Sequence, residues 1–308
     1  MRILALVNLR SGQADEGIYD FLRALGRAEA EIVLRFVGEK RAVASQVEDA
    51  KEFDRVVAVG GDGTVSGICY ALRDTGVPIV VYPAGTANLT ALNLGIPTDA
   101  MALADMTLRG AVRAFDMGEL WPARMASEGA ANSGSSRRSR GFIVAAGAGF
   151  DATIMEGARE LKPVLGAAGY LVSALQNLTP QVAQFKLTLD GRTVDTEGIA
   201  VLIVNFAKLQ FDLSITHGND AADGLFEVVV LRTRNAVELI PAVWAMLIDR
   251  AIGSHSDRSA GLDVHQAREV LVEADPPLSL QFDGEVLDAV TPLAARILPG
   301  ATTFVVPG

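Results

Sequence analysis

Val56-Val57-Ala58-Val59-Gly60-Gly61-Asp62-Gly63-Thr64 runs an apolar strand straight into three glycines interrupted by one carboxylate. Glycine lets backbone N–H groups approach an anion where any Cβ would obstruct, and a helix opening near Thr64 adds about half a positive charge at its N-terminus. The stretch therefore reads as a cradle for phosphate. Asp62 stands where a divalent ion accompanying that phosphate would need a ligand.

Working outward, short apolar runs at Ile3 to Val7, Ile32 to Val37, Val56 to Val59 and Ile79 to Tyr82 alternate with helical patterns. Near-continuous Val and Ile mark strands covered on both faces, so the first third is expected to form a doubly wound parallel sheet of Rossmann-like type. Ligands of such sheets bind beyond the carboxyl ends of the strands. The segments that follow those ends, Asn8 to Gln13, Gly60 to Thr64 and Pro83 to Asn88, are rich in small and polar residues.

Beyond about Asp116 the pattern changes to longer strand-like runs at 141–147, 184–190, 199–206, 225–231, 269–274 and 278–283, with helical patterns near 153–177 and 235–252. With about 150 residues per domain as a guide, 308 residues suggest two domains. The expected division is residues 1–117 for a nucleotide-binding α/β domain and 118–296 for a mainly β domain, with 297–308 returning to the first. Residues 127–140, rich in Ser, Gly and Arg, read as a loop.

Composition narrows the function classes. A formal net charge of -10 excludes a sequence-wide nucleic-acid binder or a polybasic membrane protein. One cysteine, Cys69, excludes an internal disulfide framework and fits a reducing compartment. The apolar stretches fall short of the roughly 20 residues that a spanning helix needs. Met1 to Asn8 reads as a first strand rather than a secretion signal, so a cytoplasmic protein with at most peripheral membrane contact is expected. Oligomeric state stays open, a homodimer included.

Several familiar sites are missing. No G-x-x-x-x-G-K-[ST], H-E-x-x-H, cysteine pair or G-x-S-x-G occurs, and His217, His255 and His265 lack ligand spacing. Gly147-Ala148-Gly149-Phe150-Asp151-Ala152 matches G-x-G-x-x-A but lies in the β-rich half without βαβ alternation, and reads as close packing of a bent strand. The stronger signal is a combination. Pro83-Ala84-Gly85-Thr86-Ala87-Asn88 again follows a strand and opens a helical segment, with Gly85 for close approach and Thr86 and Asn88 offering a hydroxyl and an amide. Asn8, Arg10, Ser11 and Gly12 supply a turn and a cation after the first strand. Three such turns at successive strand ends point to a nucleotide, bound by Asn8, Arg10, Ser11, Gly12, Gly60, Gly61, Asp62, Gly63, Thr64, Gly85, Thr86 and Asn88.

These motifs, with Leu94-Gly95-Ile96-Pro97, Phe115-Asp116-Met117-Gly118, Gly149-Phe150-Asp151-Ala152, Asp223-Gly224 and Asp283-Gly284-Glu285, occur in the order found in the diacylglycerol kinase and sphingosine kinase superfamily. The chain resembles the bacterial lipid kinases of that group over almost its whole length. The resemblance implies an N-terminal NAD-kinase-like nucleotide domain, a C-terminal β-sandwich and an active site between them. It implies ATP and Mg²⁺, and transfer of the γ-phosphoryl group to the hydroxyl of a neutral lipid such as diacylglycerol at a membrane surface. Carried over onto this sequence, Asp62 and Asp116 belong to a nucleotide–magnesium network and Glu285 is the general base. Asp223 and the carbonyl of Leu225 match a structural metal position.

The chemistry of the residues agrees, because phosphoryl transfer needs charge neutralisation and one base near the incoming hydroxyl. The chain also departs from the family pattern. Leu9 replaces a proline, Ser66-Gly67 stands where many members carry Asn-Glu, Leu89 where many carry Asp, and Leu92 where arginine is frequent. NAD kinase, which shares the first glycine loop, and a nucleotide- or lipid-sensing relative with little turnover are the competing readings.

Overall fold

The computed structural model describes residues 1–11, 17–38, 43–123, 139–149, 180–207, 219–234 and 261–308. The apolar run before the glycines lies in β3 (Arg55–Gly60), buried at every position. Its parallel neighbours are β1 (Arg2–Asn8) and β4 (Ile79–Pro83), and β2 (Glu31–Val37) pairs with the far side of β1, giving the order β2-β1-β3-β4. Helix α1 (Gly17–Arg27) packs with α5 (Ala100–Arg109), while α3 (Asp62–Leu72) packs on β3. The Val- and Ile-rich strands of this part share one hydrophobic core with Phe21, Leu25, Ile68 and Leu103. The expected parallel α/β sheet is thus present.

The second half builds an antiparallel β-sandwich. One of its layers is the sheet β12 (Leu262–Ala267), β11 (Phe226–Leu231), β10 (Ala200–Val204), β7 (Ala145–Ala148), β14 (Ser279–Phe282) and β15 (Glu285–Val290). The other continues the first sheet: β16 (Leu293–Val306) pairs with β13 (Glu269–Asp275), then come β8 (Ala183–Leu189) and β9 (Arg192–Gly198). Phe142, Phe185, Phe226, Val272 and Leu280 fill the space between the layers.

Two long strands run through both cores. Strand β5 (Ala111–Pro122) pairs antiparallel with β16 from Leu293↔Pro122 to Val306↔Ala111, with a register shift between Leu298 and Thr302. Along β16, Leu293, Ala295 and Ile297 belong to the sandwich core, whereas Ala301, Phe304, Val305 and Val306 belong to the α/β core, and Phe304 pairs with Ile79 of β4. Along β5 the change falls between Met117 and Leu120. The divisions at 117/118 and 296/297 fall inside these two strands.

The runs expected as strands at 184–190, 199–206, 225–231, 269–274 and 278–283 correspond to β8, β10, β11, β13 and β14. The run 141–147 is divided between β6 (Arg140–Phe142) and β7. Gly147 and Gly149 serve close packing: a Cβ on either would strike the carbonyl of Val201 or Ile199 on the adjacent chain. The helical patterns near 153–177 and 235–252 lie outside the described residues.

Gly118 marks where β5 passes from one core to the other, and a Cβ there would collide with the Phe142 ring, which is fully buried. Overpacking at such a site costs about 1–3 kcal/mol. Gly118→Ala is therefore expected to lower the unfolding free energy measured in urea by that margin, whereas Gly26→Ala, in open space on α1, should not lower it.

Candidate active site

The glycine loop is built by backbone contacts that only glycine allows. Strand β3 ends at Gly60, Gly61 caps α3, and Asp62 opens the helix. A Cβ at Gly60 would lie 2.6 Å from the Cβ of Thr64, and one at Gly85 would collide with the Cα of Gly61. The two loops therefore rest on one another backbone to backbone, joined also by the Ala84 amide donating to the Gly60 carbonyl at 3.0 Å. Asn88 holds the second loop closed: its Oδ1 accepts from the Gly85 amide at 2.8 Å and its Nδ2 donates to the Gly85 carbonyl at 2.9 Å. Asn88 itself is left-handed, with φ 50°. From the first strand, Asn8 Nδ2 donates to Thr64 Oγ1 at 2.7 Å while Asn8 Oδ1 accepts the Arg10 amide at 3.0 Å.

Thus Asn8, Gly60, Gly61, Thr64, Gly85 and Asn88 are linked by direct contacts. Ser11 turns back on Asn8 through its amide, Arg10 and Thr86 are exposed, and Gly12 lies outside the described residues. The amide group of Asn88 is engaged with its own loop, which makes it a brace for Gly85.

Asp62 is buried, and its two carboxylate oxygens accept the amides of Leu89 at 3.0 Å and Thr90 at 2.8 Å. These are orphan donors at the start of α4 (Leu89–Leu94), so the carboxylate of one glycine loop caps the helix that follows the other. Each oxygen accepts one amide and keeps a further lone pair, so the group still fits a cation brought by a nucleotide.

The third component arrives from the sandwich. Asp283 and Gly284 have φ 45° and 80° and close a two-residue turn between β14 and β15, with Phe282 paired to Glu285. Such a turn needs positive φ at both positions, the reason Asp-Gly serves there. The Asp283 carboxylate is buried and accepts four hydrogen bonds. Ile143 donates at 2.8 Å, Val144 at 2.8 Å and Ala145 at 3.0 Å through their amides, and Ser66 donates its hydroxyl. Burial pushes the Asp283 carboxyl up to about 6, against the pull of the Ser66 hydroxyl and the amides, with the nearby Asp62 charge pushing the same way as burial.

Glu285 is exposed on the far side of that turn and reaches the glycine loop. A Cβ at Gly63 would overlap its carboxylate, falling 2.7 Å from its Cδ. Sequence positions 63 and 285 are thus in contact, and the Glu285 side chain carries no hydrogen bond among the described residues.

Asp116 occupies different surroundings. It is buried on β5, where Oδ1 accepts the Gly300 amide at 2.8 Å and Oδ2 the Gly224 amide at 2.6 Å. This draws it to the turn that carries Asp223 and Leu225, in which exposed Asp223 accepts the Leu225 amide at 2.9 Å. Among the described residues no three His, Cys, Asp or Glu side chains cluster as a metal-holding group.

Two buried polar arrangements escape a reading of the sequence. Asp283 acts as a clamp on 143–145, a role hidden behind its ordinary Asp-Gly turn. Glu119, buried on β5, receives hydrogen bonds from Tyr70 and from Arg296 Nε at 2.6 Å; burial pushes its carboxyl up, but those donors prevail and hold it below the usual range. Nothing local in Gly118-Glu119-Leu120 signals partners at 70 and 296.

A parallel α/β sheet whose glycine loops meet a carboxylate turn from an antiparallel sandwich defines a two-domain protein of phosphoryl-transfer type. The comparisons give the family. Residues 2–120 match the diacylglycerol kinase catalytic domain, and residues 144–306 match the YegS C-terminal NAD kinase beta sandwich-like domain. The chain belongs to the diacylglycerol kinase and YegS superfamily, a family of lipid kinases. It is 26% identical to a diacylglycerol kinase of Mycobacterium tuberculosis over 96% of this chain and 91% of that protein. An uncharacterized Synechocystis protein is 28% identical over 86% of this chain, which spans only 57% of that relative's length. The fold is similar to a crystal structure of a diacylglycerol kinase from Bacillus anthracis, with a TM-score of 0.70 at 20% identity, covering 99% of this chain and 96% of that one.

The Asp283 site has a pH signature. An unfolded aspartate titrates near about 3.9, whereas the folded one titrates at about 6. The folded protein therefore holds the extra proton between those values, and the cost of the buried charge vanishes as pH falls through that window. Between about pH 7 and about pH 4.5, wild type should gain stability relative to Asp283→Asn in urea unfolding. A gap that stays constant or moves the other way would contradict this assignment.

Proposed function

We propose that the protein is an ATP- and Mg²⁺-dependent lipid kinase that phosphorylates the hydroxyl of a neutral lipid, diacylglycerol or a close relative. The observation that carries this reading is the approach of Glu285 to Gly63, which puts a free carboxylate at the mouth of the phosphate cradle. In the reaction the lipid oxygen forms a bond to the γ-phosphorus as the bond from that phosphorus to the bridging oxygen breaks, and ADP leaves. Glu285 takes the hydroxyl proton as charge develops on the attacking oxygen. A positioned base contributes about 10²- to 10⁴-fold.

The rest of the chain positions the donor. Backbone amides of the two loops that begin at Gly60 and Gly85 would face the phosphates, the Gly85 amide itself being held by Asn88, and the close contacts at Gly60 and Gly85 explain the choice of glycine. Asp62 would hold Mg²⁺, which would supply neutralisation of the transferring charge. Leu89 contributes its amide to Asp62 in place of a second carboxylate. Asp116 would join Asp62 in the nucleotide–magnesium network, and Asp223 with the Leu225 carbonyl is proposed as a supporting metal position beside Gly224, whose amide Asp116 holds.

The acceptor would be met at a membrane surface by a cytoplasmic protein. No helix among the described residues is long and apolar enough to cross a membrane, and peripheral contact accords with that. Labelled ATP and Mg²⁺ offered with solubilised lipids, diacylglycerol among them, and with NAD test the proposal. Label should pass to the lipid; label on NAD, or tight ATP binding with no product on any acceptor, would overturn it. Glu285→Gln is expected to keep ATP affinity and lose about 10²- to 10⁴-fold in turnover. Gly85→Ala, by forcing the two loops apart, should weaken binding of an ATP analogue at least about tenfold, measured by calorimetry.

A further inference from the structure

Helix α3 touches the Asp-Gly-Glu turn at two points. Gly63 lies against the Glu285 carboxylate and Ser66, three residues on and so on the same helical face, donates its hydroxyl to Asp283. Ser66 is 1% exposed, so this bond is made away from water, where a hydrogen bond to an ionised acceptor is stronger than a neutral one. The same Asp283 Oδ2 takes the Ile143 amide, Oδ1 takes Val144 and Ala145, and the Asp283 amide returns to the Ala145 carbonyl at 2.8 Å. The turn is thereby fastened to the 143–145 segment by backbone amides and to the nucleotide-loop helix by the Ser66 side chain. Gly63 has no side chain with which to hold Glu285, and Glu285 is exposed.

We infer that Ser66 is a positioning residue for phosphoryl transfer: its bond to Asp283 sets the height of the turn over α3, and so keeps Glu285 at the loop where the acceptor hydroxyl must lie. The inference rests on the reading of Glu285 as the base. It assigns a function to a residue that departs from the family's usual pattern, and it separates two tasks along one helix. Gly63 leaves room for the base and Ser66 fixes its distance. Misplacement of a reacting group by an ångström costs about a hundredfold, so loss of the tether should slow the chemical step without touching the nucleotide loops.

A kinetic cycle tests it, using diacylglycerol in mixed micelles, ATP and Mg²⁺ with Ser66→Ala, Ser66→Thr, Glu285→Gln and the Ser66→Ala/Glu285→Gln double variant. Ser66→Ala should lower kcat about ten- to a hundredfold with KM for ATP unchanged, Ser66→Thr should recover part of that loss, and the loss should vanish in the Glu285→Gln background. Equal losses in both backgrounds, a rise in KM for ATP accompanying the loss, or a Ser66→Thr protein that melts like wild type yet is as slow as Ser66→Ala would overturn the inference. Near-normal turnover of Glu285→Gln would instead overturn the base assignment. Amide exchange supplies a readout independent of turnover: the amides of Ile143, Val144 and Ala145 should exchange at least about tenfold faster in Ser66→Ala. Unchanged exchange there would show that Ser66 does not hold the turn.

Discussion

The buried carboxylate of Asp283 is the constraint from which the rest of the site follows. Removing a carboxylate from water costs several kcal/mol unless hydrogen bonds replace its hydration. Here three consecutive amides and a serine hydroxyl do so, drawn from the 143–145 segment that joins β6 to β7 and from α3. Because the donors come from separate parts of the chain, satisfying the charge requires those parts to meet. Glu285, two residues beyond Asp283, is carried to Gly63 by that meeting.

Asp62 and Asp116 repeat the device. Each is a buried carboxylate whose oxygens accept backbone amides from distant loops, Leu89 and Thr90 for the first, Gly224 and Gly300 for the second. Around them β5 and β16 pass unbroken from the α/β core into the sandwich core. The two cores are joined by continuous strands, with buried carboxylates fastening the loops between them. Acidic residues beside a proposed phosphate cradle look misplaced on charge alone; their engagement with amides would let several be tolerated there.

The parallel sheet was legible because strands covered on both faces write themselves as runs such as Val56 to Val59, and the glycine loops at their ends stand out as breaks in those runs. The long strands were harder to read. Strand β5, Ala111–Pro122, is exposed or half-buried from Ala111 to Phe115 and buried from Asp116 to Leu120, so no single period runs through it. Strand β9, Arg192–Gly198, is too polar to stand out, though Asp190-Gly191 before it is a hairpin signal. At the site, Gly60 to Thr64 and Asp283 to Glu285 were visible as motifs, but not that Asp283 is buried while Glu285 is exposed, nor that Ser66 completes the clamp. Those facts depend on pairings 140 and 217 residues apart, which local pattern does not record.

The proposed reaction requires the cradle at Gly60–Gly63 and the carboxylate of Glu285 to face the same phosphate. A crystal structure with a non-hydrolysable ATP analogue and Mg²⁺ tests it most directly. The account requires the nucleotide phosphates to lie on the amides of the Gly60 and Gly85 loops, with the γ-phosphate beside the Glu285 carboxylate. A γ-phosphate bound away from Gly63, or turned from Glu285 with the Asp283 clamp intact, would contradict it.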